Sequence, residues 1–239
     1  MQLKQICLID ITISNLPLIL NIETSTKKCS VALSKGKDVV LEKSIISEKY
    51  SHSEKLTVFI QEVMNDSEYN LNDLNAISVS KGPGSYTGLR IGVTIAKGLC
   101  YALEKPLLSV STLKSMALSL SNKKSFYDFY CPMIDARRME VFTAIYTQNN
   151  DLVEEIQAKV ITKDSFNDLS LKKVLFFGDG ALKCKDLLWS ENFSFEEGIH
   201  PSAIDMVELS FEKYMNKDFE DVIYFEPFYL KDFILGEKK

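Results

Sequence analysis

The chain has 239 residues, 46% of them apolar and 26% charged, with a formal net charge of −5. That is enough chain for one large domain or two lobes sharing a hinge, and its composition excludes long disorder. The acidic balance makes tight nucleic-acid binding by the chain alone unfavourable, and no apolar run approaches the ~18 residues of a membrane-spanning helix.

Residues 1–17 read as an extension: an extra edge strand, a flexible arm, or a start codon assigned too early. Asp10, Ser14 and Asn15 interrupt its apolar residues and no small-residue cleavage site follows, so a secretory signal is not expected. The first strong pattern predicts strands over 18–22, 30–34 and 39–46, the last two joined by the turn Lys35-Gly36-Lys37-Asp38. Ser51 lies three residues before Glu54, which fits a capping box. Leu56, Phe59, Ile60, Val63 and Met64 then recur at helical spacing, a stripe that either the chain's own sheet or a partner must cover. A strand over 76–80 runs into the turn Gly82-Pro83-Gly84-Ser85, and a helix continues through Val93, Ile95, Leu99 and Leu103. A further strand follows over 107–111. The polar stretch 119–124 is read as a lobe boundary, dividing the chain into 18–118 and 119–239. Beyond it the pattern predicts a hairpin (130–134 and 140–146, turning through 135–139) and strands over 153–161 and 174–177. A helix over 202–215 carries Ile204, Val207, Phe211 and Tyr214 on its stripe with Leu209 off it, and a packed aromatic tail covers 223–230.

Several residue groups point to chemistry. Gly82 and Gly84 give backbone freedom and Ser85 is placed to cap the following helix, so the turn is either an anion cradle or a tight turn without a ligand. Gly88, Gly92, Ala96 and Cys100 form a ridge of small residues that lets another backbone come close, inside the domain or on a partner. Glu23, Thr24 and Ser25 follow the first strand and suit either a phosphate contact or a turn held by hydroxyls. Gly178-Asp179-Gly180 is a second loop after a strand. Arg137 and Arg138 make a small basic spot, either a solvated turn or an anion contact. Only His52 and His200 are available as imidazoles, with no His or Cys pair at metal-ligand spacing, so no metal site is expected. The five cysteines, Cys7, Cys29, Cys100, Cys131 and Cys184, show no paired spacing and read as buried small hydrophobes in a reducing compartment. No Ser-His-Asp set and no activated cysteine can be assembled.

The run Gly82-Pro83-Gly84-Ser85-Tyr86-Thr87-Gly88-Leu89-Arg90-Ile91-Gly92 resembles the signature of the TsaB family, bacterial proteins that help make threonylcarbamoyladenosine in tRNA. Leu20-Asn21-Ile22-Glu23-Thr24-Ser25-Thr26, Asp135-Ala136-Arg137-Arg138-Met139-Glu140-Val141-Phe142 and Tyr229-Leu230-Lys231 agree with it in order, so the resemblance spans residues 18–231. It implies an α/β, two-lobed actin-like (ASKHA, ribonuclease-H-like) fold with a reduced C-terminal lobe. It also implies a cytoplasmic accessory subunit with no catalysis of its own and no intrinsic cofactor or metal, ATP and Mg acting at the level of the complex. On this resemblance the chain pairs with the catalytic subunit TsaD, and the ATPase TsaE joins them. The complex moves the threonylcarbamoyl group from threonylcarbamoyl-AMP to adenosine 37 of ANN-decoding tRNAs, tRNA being bound only through the complex. The expected contacts to TsaD are Leu56, Phe59, Ile60, Val63, Gly88, Gly92, Ile95 and Ala96, and a large residue at Gly92 or Ala96 should weaken the heterodimer without unfolding the chain. A homodimer through the same helices is the expectation when the partner is absent. TsaD carries a histidine-rich metal motif on the helix that corresponds to 51–64, where this chain has only Ser51-His52-Ser53-Glu54. The basic spot at Arg137 and Arg138 would then meet a partner carboxylate or a tRNA phosphate, if it is not simply solvated. The alternative reading is a free-standing ATP-dependent phosphotransferase using Glu23, Ser85 and Asp179. Its nucleotide contacts would come from Thr24, Ser25, Gly82, Gly84, Ser85, Gly178, Asp179 and Gly180.

Overall fold

A computed structural model describes residues 16–47 and 52–231. Most of the N-terminal extension, Cys7, and the Ser51 half of the expected capping box lie outside the described residues. The chain forms two five-stranded mixed sheets. The first contains β1 (Leu18–Glu23), β2 (Lys28–Lys35), β3 (Asp38–Ile46), β4 (Ala76–Gly82) and β5 (Leu107–Ser111), in the order β3-β2-β1-β4-β5. The second contains β6 (Phe129–Asp135), β7 (Glu140–Thr147), β8 (Leu152–Val160), β9 (Val174–Phe177) and β10 (Phe193–Glu196), in the order β10-β9-β6-β7-β8. In each, an antiparallel meander of three strands is extended by two strands parallel to the first. The second sheet therefore repeats the connectivity of the first.

Helices α1 (His52–Asn65) and α2 (Tyr86–Leu103) cover one face of the first sheet. Period-two alternation supplies that face: Leu18, Leu20 and Ile22 of β1 meet Leu56, Ile60 and Val63 of α1 and Val93 and Ala96 of α2. The opposite face is built from small and polar side chains. Asn21 donates to the Ser34 hydroxyl at 3.1 Å, Ser78 bonds Ser210 at 2.7 Å, and the Ala203 amide donates to Ser30 Oγ at 2.8 Å. The first bond joins β1 to β2, whereas Ala203 and Ser210 lie on the segment leading into α4 (Val207–Met215) and on α4 itself, which returns from the far end of the chain to lie on β5 and β1. Every buried hydroxyl in this seam needs such a partner, which fixes where α4 sits.

The structure corrects several expectations. The stretch 119–124 is no linker: it closes α3 (Thr112–Lys123), whose Leu113, Met116, Ala117 and Leu120 pack on Tyr130, Ile134 and Phe177 of the second sheet. Polarity at 119–124 marks the last turn of a helix, exposed at Asn122 and Lys123, not a break. The lobes are also not split at residue 118 in space, because α4, Val222 and Phe225 belong to the first. On α4 the buried residues are Val207, Leu209 and Ser210, preceded by Met206, whereas Phe211 and Tyr214 are half-exposed. The tail is packed in part only: Ile223 is 75% and Tyr224 81% exposed. The other face of the second sheet is closed by Phe166, Cys184 and Leu188 from loops and single 3-10 turns, so this lobe is the reduced one.

Candidate functional site

The glycine-rich turn and the exit of β1 close on each other. Ser85 caps α2 by accepting from the Gly88 amide at 3.2 Å, while its own amide donates to Ser25 O at 2.6 Å. Thr24 Oγ1 donates to Gly88 O at 2.8 Å. A Cβ on Gly88 would stand 2.1 Å from Thr24 O, one on Gly84 2.3 Å from Ser25 O, and one on Gly92 2.3 Å from Thr24 Oγ1. His52, 1% exposed at the start of α1, braces the same turn through Nε2 and Thr26 O at 2.8 Å. Burial lowers the imidazole pKa below its ordinary value, against the opposing pull of the hydrogen bond to Thr26 O. Glu23, fully buried, accepts through Oε1 from the Ser25 amide at 2.6 Å and from Ser80 Oγ at 2.8 Å. Burial raises its pKa against the pull of those hydrogen bonds.

In this packing Thr24 and Ser25 are 0% exposed, and the loop they form lies directly against Gly84 and Ser85. The second-lobe loop is similarly self-contained. A Cβ on Gly178 would meet Met133 O at 2.2 Å and one on Gly180 would meet Ile134 C at 2.9 Å, while Asp179 Oδ1 accepts from the Asp135 amide at 2.9 Å. Through that bond the carboxyl ties β9 to β6, and burial raises its pKa. Glu23, Ser85 and Asp179 thus serve separate internal joints.

The expected partner contacts also sort into two groups. Leu56, Ile60, Val63, Gly88, Gly92 and Ala96 are buried in the first lobe, where the small ridge receives Thr24 and β1; they are not available to a partner in this conformation. Phe59 and Ile95 are half-exposed. Ile95 lines an open groove of about 570 Å³ beside α2 together with Ser53, Tyr86, Thr87, Arg90, Ile91 and Thr94. The sequence reading missed Ile91 and Tyr86 here. The signal was present, since 87, 91 and 95 make the ridge next to the small one, and 86, 90 and 94 the ridge after that. At the groove's end the Tyr229 ring lies 4.6 Å from the Tyr86 ring, and the Arg90 guanidinium stands 5.1 Å from the Tyr86 ring centre.

Among the described residues no group of three or more His, Cys, Asp or Glu side chains is arranged to hold a metal ion, and no helix is long and apolar enough to cross a membrane. Cys29, Cys100 and Cys131 are buried thiols whose pKa burial pushes up to about 12, so none of these three is a nucleophilic thiolate.

A model of the tRNA N6-adenosine threonylcarbamoyltransferase family, TsaD, matches residues 39–216. The tRNA threonylcarbamoyladenosine biosynthesis protein TsaB of Bacillus subtilis is 38% identical over 164 residues, covering 67% of this chain and 70% of that protein. TsaB of Escherichia coli is 31% identical over 228 residues, covering 92% and 97%. The tRNA N6-adenosine threonylcarbamoyltransferase of Staphylococcus aureus matches at 34% identity over 108 residues, covering 39% of this chain and 32% of that one. In structure, YeaZ from Pseudomonas aeruginosa superposes with a TM-score of 0.75 at 22% identity, covering 90% of this chain and 100% of that one, which shows the shared fold. With the signature turn, two sheets of repeated connectivity and relatives aligned over nearly its whole length, the chain belongs to the TsaB family.

Proposed function

We propose that this chain is the accessory subunit of the complex that transfers a threonylcarbamoyl group to adenosine 37 of ANN-decoding tRNAs, pairing with TsaD and working with TsaE. The observation that carries the reading is the contrast on α2. Its inner ridge is sealed by the chain's own loop, while its outer ridge leaves the groove of Tyr86, Arg90, Ile91 and Ile95 open. A half-exposed apolar groove bordered by an aromatic ring and an arginine has the make-up of a protein-binding surface. TsaD is placed there, and a second copy of this chain takes the same groove when TsaD is absent. ATP and Mg belong to the other subunits on this reading, the RNA is held by the assembly, and the compartment is the cytoplasm.

The test is threonylcarbamoyladenosine formation on tRNA by the synthase, TsaD and TsaE, with this chain present and then omitted. Product that depends on the chain supports the reading; equal product without it removes the role.

A further inference from the structure

The β6–β7 turn carries a feature that neither the core nor the groove uses. Arg137 and Arg138 have φ of 73° and 48°, two successive arginines in the left-handed region that glycine, asparagine and aspartate favour. The turn is closed by Ala136 N to Glu140 O and Glu140 N to Arg137 O, each 3.1 Å, so both residues are held at the tip. Both side chains are exposed, and neither forms an ion pair among the described residues. The neighbouring charges are already matched. Lys183 pairs with Asp135, whose Oδ1 also accepts from the Arg137 amide, and Lys231 pairs with Glu140. Two adjacent guanidinium charges are left uncompensated on a chain whose net charge is −5. The turn's hydrogen bonds fix a backbone conformation unfavourable for arginine, and the two side chains it presents have no charge partner among the described residues, which points outward to a ligand.

We infer that Arg137 and Arg138 form a contact for the phosphodiester backbone of the RNA substrate, contributed by this chain to the assembled complex. The inference rests on the role proposed above and adds that the chain touches RNA directly. Two adjacent cations call for two adjacent anions. Neighbouring carboxylates on a protein partner repel each other and burden that partner, whereas a nucleic-acid strand carries one phosphate per nucleotide as a matter of course. Guanidinium groups also match phosphate oxygens in planar, bidentate pairs.

The test uses the full-length double variant Arg137→Asn, Arg138→Gly, which suits the left-handed turn better than the native pair and removes both charges. Melting of the isolated chain should rise by about 2–4 °C. Binding of an unmodified ANN-decoding tRNA transcript by the assembled complex should weaken about tenfold near 0.1 M salt. The slope of log affinity against log salt should shrink by roughly 1.4–1.8, the release expected of two phosphates. Heterodimer affinity measured without RNA should not change. An unchanged salt slope overturns the inference, and so does a loss of heterodimer affinity without RNA, which would assign the pair to a protein carboxylate. If wild-type chain proves dispensable for product, the role proposed above fails first and this contact with it. If the wild type is required and the variant binds RNA normally, only the contact fails.

Discussion

Glu23 sits where a charged carboxylate is costly. Its Oε1 is well bonded, but Oε2 is buried without a hydrogen-bond partner, and Asp205 lies near enough to raise the pKa further. A carboxyl with a higher pKa folded than unfolded binds its proton more tightly in the native state. Its contribution to stability is therefore full below the unfolded value and is lost as pH rises through the folded one. Asp205 and Asp179, raised first by burial, act in the same direction, while His52, lowered by burial, contributes stability that is lost as pH falls. Glu23→Gln keeps the Oε1 acceptor for Ser25 and Ser80 and abolishes the titration. The melting temperature of the variant relative to wild type should climb as pH rises above the ordinary carboxyl value of 4.5. Parallel melting curves across that range would show that Glu23 carries its charge without penalty.

Helix α2 shows how one element serves two surfaces through two ridges one residue apart. Gly88, Gly92, Ala96 and Cys100 face β1 and its exit loop, and Ile91 and Ile95 border the groove. Substitutions on the two ridges should separate stability from association. Gly88→Ala gains up to about 1 kcal/mol of helix propensity, yet its methyl group would stand 2.1 Å from Thr24 O, a backbone atom that cannot swing away. The net loss should be about 2–4 kcal/mol, read by denaturant melting. Ile95→Glu, half-exposed, should change stability by less than about 1 kcal/mol and weaken TsaD binding at least about tenfold by calorimetry. Equal affinity for the Ile95 variant would move the partner away from the groove. The start of α2 was legible because Ser85 and the flanking glycines are local signals, and the strand alternation of β1 was equally plain. Which side of the small ridge faces inward was not. That depends on Thr24, 64 residues before Gly88, reaching its carbonyl. The polar end of α3 was misread for a similar reason: Ser119 and Lys123 look like a linker until Leu113, Met116 and Leu120 find the second sheet.

At the scale of the molecule, two sheets of the same connectivity are interlocked and not merely joined. The chain leaves the first lobe along α3, builds the second sheet, and returns at residues 203–215 to close the polar face of the first. Lys28 marks the seam, donating to Ser202 Oγ at 2.9 Å and standing 3.7 Å from Glu42, while the Ser202 amide donates to Asp205 at 3.1 Å. This return was invisible in the sequence because Ser30 and Ser78 look like solvent-facing residues until α4 and the turn before it supply their partners. It also means that the first lobe is not a free-standing unit. Ending the chain after residue 202 uncovers Ile19, Ala76, Leu108 and Val110, which α4 and Met206 otherwise bury. At about 2 kcal/mol for each of the three larger side chains, the loss is comparable to the whole stability of about 5–15 kcal/mol typical of a domain. The shortened chain should therefore melt without a cooperative transition, although every residue of α1 and α2, and of the groove except Tyr229 at its end, is present. A sharp transition together with retained TsaD binding would show instead that the first sheet stands on the α1 and α2 face alone, and that the returning helix serves only to hold the lobes together.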